Sequence, residues 1–163
     1  MSTAVAPAHH GAKLRIGSLE LDSPVLIAPM VGITDAPCRE LAIELGAGLV
    51  CTEMVASEAV VRSQEASLQL LDFPAGVRPA GAQLVGCDPV VMADAAQVCV
   101  DRGAISVDVN LGCPVKKVVG RGSGAALARD VHATARVLRA MVDAVDVPVT
   151  AKMRLGWDAH TIN

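Results

Sequence analysis

The feature that most constrains this chain is a rhythm. Short apolar runs at 25–29, 49–53, 80–85, 105–110 and 147–154 are separated by segments at 36–45, 57–71, 89–102 and 131–145, where Ala, Leu, Val and Met recur with helical spacing. Two of those segments open on an N-cap followed by proline in the first turn: Thr34 or Asp35 before Ala36-Pro37, and Asp88 before Pro89. Strands that are almost continuously apolar and joined by helices belong to a parallel sheet covered on its outer face. That leaves a barrel or a doubly wound sheet. A doubly wound nucleotide fold places G-x-G-x-x-G after its first strand, whereas here the first strand runs into APMVGITDAP. A (β/α)8 barrel carries its chemistry at the C-terminal ends of its strands, which is where the polar residues of this chain fall. The pattern therefore predicts an α/β chain forming about the first five β/α units of a TIM barrel. Closure takes eight strands and typically ~250 residues, and the chain has 163. An open sheet edge is then expected, which either invites aggregation or is covered by the rest of the barrel.

Composition narrows the function classes. The chain is 52% hydrophobic with one Phe, one Trp and no Tyr, so its core must be built from small branched side chains. No apolar run approaches the ~20 residues of a membrane-spanning helix, and the start MSTAVAPAHHG lacks the charged and apolar regions of a signal peptide. A cytoplasmic location without membrane attachment is expected. The five cysteines, at 38, 51, 87, 99 and 113, form no C-x-x-C pair, which indicates neither a disulfide framework nor a zinc site. Most of them read as buried thiols. A formal charge of −3 argues against coating nucleic acid by bulk electrostatics. Locally, however, Lys116, Lys117, Arg121, Arg129, Arg136 and Arg139 are opposed only by Asp130. Such a patch suits a phosphate backbone, or else is a solvated helix face and loop.

Residues 1–12 read as a loose leader. LRIGSLEL at 14–21 alternates on either side of Gly17-Ser18 and predicts a short hairpin before the main fold.

The strongest chemical signal is VDVNLGCPVKKV. A strand ending at Asn110 is followed by a glycine that allows a sharp turn and presents Cys113 at the rim, with Pro114 stiffening the exit. The string N-x-G-C-P-x-K-K-V at 110–118 resembles the active-site signature of the dihydrouridine synthases, nearest to the bacterial B-type members. APMVGITDAPCRE at 28–40, TEM at 52–54, QLVG at 83–86, GSGAAL at 122–127 and VTAKMRLGW at 149–157 agree in order and spacing. The resemblance extends from Leu14 to the last residue, making 13–163 the N-terminal portion of a flavin-binding barrel.

The resemblance implies reduction of the C5=C6 bond of uridine in tRNA, with FMN as cofactor and NADPH as reductant. Cys113 would protonate C5 of the uracil. An ordinary thiol, with pKa ~8.5, is protonated near neutral pH, where a carboxylic acid is already ionised. Pro29, Met30 and Val31 match the backbone segment against the flavin ring, Gln83 the amide at its polar edge, and Lys152 the lysine that favours the anionic reduced ring. Asn110 matches a position near flavin and base. A stacked uridine must be drawn out of the RNA before it can react, and Lys116, Lys117 and Arg121 are placed to hold the phosphates around it. Glu53 and Arg154 end strands as further site residues, or as a structural ion pair with one another. His132 and His160 read as surface residues. GRGSG at 120–124 could form an anion-binding turn. The family's later strands, phosphate loops and helical RNA-binding domain have no counterpart in these residues. Two rival readings stand beside this one: a flavin barrel of the dihydroorotate dehydrogenase type, and an inactive or split fragment that needs a partner.

Overall fold

In a computed structural model of the chain, the described residues are 13–74 and 79–162. The expected leader lies outside them. Strands β1 (Leu14–Ile16) and β2 (Leu19–Leu21) form the expected antiparallel hairpin. Strands β3 (Leu26–Ile27), β4 (Leu49–Ala56), β5 (Ala80–Val85), β6 (Val107–Leu111) and β7 (Val149–Met153) then pair in chain order, all parallel. Each crossover carries helix, as parallel neighbours require. The helices are α1 (Ala36–Glu44), α2 (Ser57–Val61), α3 (Glu65–Leu70), α4 (Pro89–Asp101), α5 (Lys116–Val119) and α6 (Val131–Ala144), with a 3₁₀ turn at Gly124–Arg129. The sheet curls into half of a barrel.

Alternation along the strands decides which side chains face the helices. Val55, Ala82, Leu84, Val107, Val109 and Leu111 lie in one apolar core with Met92, Ala95, Ala96 and Cys99 of α4 and with Val137 and Met141 of α6. The spacing 92, 95, 96, 99 is the stripe a helix offers to a single surface. Asp35 caps α1 by accepting from the Cys38 amide, and Asp88 caps α4 by accepting from the amides of Val90 and Val91. Asp130 caps α6 in the same manner through Ala133.

Several expectations change. The segment 57–71 is two helices rather than one, broken at Ser63, which adopts φ 52°. The first barrel strand is only two residues long, because β3 is an edge that pairs with β4 alone. Strand β6 runs one residue past Asn110 to Leu111. Only Cys99 is fully buried, with the other four thiols partly covered. Among the described residues no helix is long and apolar enough to cross a membrane.

Candidate active site

The inner face of the half-barrel is polar where the outer face is apolar. Asp108 and Asn110, two residues apart on β6, share that face with Thr150 and Lys152, their register partners on β7. Gln83 on β5 is the partner of Asp108. These side chains form one connected series. Thr150 Oγ1 donates to Asp108 Oδ1 at 2.7 Å, and Gln83 Nε2 donates to Asp108 Oδ2 at 2.6 Å. Asn110 Nδ2 then donates to Gln83 Oε1 at 3.0 Å. At the far end Asn110 Oδ1 accepts from the backbone amides of Gly112, at 3.2 Å, and Cys113, at 2.9 Å.

This arrangement explains the turn that carries the cysteine. Gly112 is not in the left-handed region, and a Cβ there would meet nothing closer than 3.8 Å. The expectation that glycine makes the turn is therefore replaced: the Asn110 carboxamide holds it, as an Asx turn does. Behind the turn, Ala125 N donates to Cys113 O at 3.0 Å. Gly124, at φ 60°, sits where a Cβ would be 2.8 Å from Cys113 O and 3.3 Å from Cys113 Cβ. The GRGSG stretch thus backs the cysteine loop.

Burial pushes the Asp108 carboxyl above its ordinary pKa, opposed by the hydrogen bonds from Gln83 and Thr150 and by the Lys152 charge. Asp108 and Thr150 were not singled out from sequence. The signal was present, since VDVNL and VTAKM alternate apolar with polar, and alternate residues of a strand share a face.

The other expected site residues fall in three places. Pro29, Met30 and Val31 lie at the end of β3, in a turn where Met30 O accepts from the amides of Ile33 and Thr34 and Thr34 Oγ1 accepts from Met30 N. Met30 and Val31 are 39% and 66% exposed on the rim. Glu53 does not pair with Arg154; its Oε2 accepts from Gly32 N at 2.8 Å and so ties this turn to β4. Arg154 is exposed, with no acidic partner among the described residues. Gln83 is only 1% exposed, with both ends engaged. Lys152 is exposed beside Asn110.

Lys116, Lys117 and Arg121 are exposed on α5 and the turn after it, directly beyond Cys113. Two cations of the larger basic patch are engaged with other groups. Arg129 stacks on Trp157 at 3.5 Å from the ring centroid, and Arg139 pairs with Asp143 along α6. His132 and His160 are exposed.

Parallel strands in sequential order, helices outside and polar groups gathered at the C-terminal strand ends define the chain as part of a (β/α) barrel, the fold whose strand-end loops carry the chemistry. The family model for dihydrouridine synthase matches residues 26–163. The chain belongs to the dihydrouridine synthase family. It is 47% identical over 154 residues to a probable tRNA-dihydrouridine synthase of Rickettsia typhi, covering 92% of this chain and 46% of the relative. A probable tRNA-dihydrouridine synthase of Rhizobium leguminosarum bv. phaseoli is 52% identical over 139 residues, covering 85% and 44%. The tRNA-dihydrouridine synthase B of Pseudomonas aeruginosa is 44% identical over 150 residues, covering 92% and 45%. The chain thus spans about half the length of the curated relatives it matches.

Proposed function

We propose that this chain carries the proton donor and one wall of the cofactor pocket of a tRNA-dihydrouridine synthase, an oxidoreductase that saturates the C5=C6 bond of uridine in tRNA. The observation that carries this reading is the double hydrogen bond from the Gly112 and Cys113 amides to Asn110 Oδ1. It fixes a thiol at the C-terminal end of β6, on a loop backed by Gly124.

The residues present fit a flavin mononucleotide. Met30 and Val31 expose apolar surface on the rim, Lys152 supplies an exposed cation on the inner face beside Asn110, and the inner face between them is lined with amides. When bound, FMN recharged by NADPH would supply hydride chemistry at C6 of the uracil. Cys113 then gives its proton to C5, which balances the two-electron saturation. Gln83, already bonded to Asp108 and Asn110, retains one amide hydrogen, so its main part is to orient Asn110. Lys116, Lys117 and Arg121 neutralise phosphates around the nucleotide drawn out of the RNA. The remaining strands of the barrel, on additional chain, would cover the open edge at β7.

The test is Cys113→Ala in a full-length enzyme containing this segment. Proton delivery by a positioned group contributes roughly 10²–10⁴-fold. Dihydrouridine formed in bulk tRNA is expected to fall by at least the lower figure while flavin absorbance is retained. Full turnover in the variant would refute the assignment, and turnover on dihydroorotate in place of tRNA would support the rival barrel.

A further inference from the structure

Beside the Cys113 loop lies a cavity of about 260 Å³ that shares only the cations Lys117 and Arg121 with the site proposed above. Its walls are Met54, Ala56, Val85, Gly86, Val91 and Val118, at the C-terminal ends of β4 and β5, in the first turn of α4 and within α5. None of Cys113, Asn110, Gln83 or Lys152 lines it. Two hydroxyl residues, Ser57 and Ser123, also line the cavity although they are only 2% and 8% exposed. Neither hydroxyl makes a hydrogen bond among the described residues, and neither oxygen is sealed off, the one buried side-chain polar atom without a partner among the described residues being Arg39 Nη1. Hydroxyls that open onto a cavity without a protein partner are free to donate to and accept from a ligand there.

The surroundings specify the ligand's chemistry. Gly86 keeps the floor open, because a Cβ there would lie 2.3 Å from Ser57 Oγ and 2.6 Å from Met92 Sδ. Lys117 and Arg121 belong to the lining and are exposed. Of the acidic groups nearby, Asp88 is engaged in capping α4. Glu58 reaches Arg121 only at 3.8 Å, between side chains that are both more than half exposed. Lys117 is left without an acidic partner among the described residues. Apolar walls, two hydroxyls inside and cations at the mouth suit a flat heteroaromatic ring with a hydrogen-bonding edge, joined to an anion. The volume lies below the ~300–1,000 Å³ of sites for drug-sized ligands, so it takes one ring and not a whole dinucleotide. The cavity also adjoins the catalytic loop. Val118 accepts from the Ser123 amide through its carbonyl, and the next turn is closed by Ala125 N on Cys113 O.

We propose that this cavity is a second base pocket, which holds a nucleotide neighbouring the one presented to Cys113, with Ser57 and Ser123 on the base edge and Lys117 and Arg121 on its phosphate. The assignment of an RNA nucleotide rests on the reading of the site as a tRNA-modifying one, but binding in the pocket does not involve Cys113.

The experiment is an amide-resolved NMR titration of the 163-residue chain with uridine and guanosine 5′-monophosphates, with inorganic phosphate as the control. Saturable shifts at Ser57, Gly86 and Ser123 are expected for at least one nucleotide. Ser57→Ala with Ser123→Ala should weaken binding about tenfold, the worth of two neutral hydrogen bonds. Ala56→Phe, at an exposed position on the wall, should abolish it. Should that variant not fold, Lys117→Glu with Arg121→Glu serves instead, and a loss of about tenfold or more is expected. The proposal is overturned by the absence of saturable shifts, by unchanged affinity in the folded variants, or by inorganic phosphate reproducing the same shifts at the same affinity. Cys113→Ala should bind as tightly as the parent. An intact enzyme that turned over without Cys113 would refute the catalytic reading and leave this binding as it is.

Discussion

Asp108 accepts on both oxygens, and that gives the inner-face series its direction. An ionised carboxylate can only accept, so the Gln83 amide must turn its nitrogen to Asp108 and its oxygen to Asn110, which turns the Asn110 oxygen to the Cys113 loop. Asp108→Asn removes the constraint, since an amide both donates and accepts. Loss of one neutral hydrogen bond corresponds to roughly three- to tenfold in an equilibrium. Hydrogen exchange at the Gly112 and Cys113 amides is therefore expected to quicken by about that factor while Val107 and Val109 hold. Equal protection in parent and variant would show that the turn stands without the carboxylate. The same residue sets a pH dependence. Burial raises its pKa in the fold, so its contribution to stability is fully present below the unfolded value of ~3.9 and is lost as pH rises through the folded value. The parent's melting temperature should fall across that window relative to Asp108→Asn, and parallel curves would contradict it. Of this site, Cys113 and Asn110 were legible as a motif. Asp108 was not, because its importance lies in which neighbours the strand register brings against it.

At the scale of elements, chain reversal and close approach decide what periodicity does not. The spacing of 57–71 supports one helix, yet a straight helix would carry Leu71 ~16 Å along its axis from Val60. The break at Ser63 lets both enter the same core. Gly48, just before β4, shows a similar constraint. A Cβ there would fall 2.0 Å from Ser23 O and 2.9 Å from Ser23 C, backbone that cannot move aside cheaply, while Gly48 N donates to Val25 O at 2.8 Å. Overpacking costs about 1–3 kcal/mol, so Gly48→Ala should lower the unfolding free energy by at least that much in a denaturant titration. A change within the ~0.5 kcal/mol typical of neutral surface sites would show that the hairpin segment shifts freely. Helix starts at Asp35 and Asp88 were readable because a cap is a local contact. The break at Ser63 and the crowding at Gly48 are contacts between segments distant in sequence.

For the whole molecule, the five parallel strands leave β3 and β7 as edges, and Met153 and Leu155 at the end of β7 are 58% and 80% exposed. Flavin phosphate in barrels is commonly held by the loops after strands seven and eight, beyond the five strands described. The 163-residue chain is therefore expected to bind FMN weakly and to show little synthase activity. Purification of this chain with a stoichiometric yellow flavin would overturn that expectation. By itself the sequence determined the alternation of strand and helix, the parallel sheet, the family, and the loop that bears the thiol. Each of these is written in local periodicity or in a contiguous motif. Only the tertiary structure decided that a carboxylate on the inner face orients the cysteine turn, that Glu53 serves the first-strand turn instead of pairing with Arg154, and that two unpaired hydroxyls line one cavity. Those facts depend on strand register and on the curl of the sheet, which bring together residues tens of positions apart, and no local pattern in a chain encodes such a meeting.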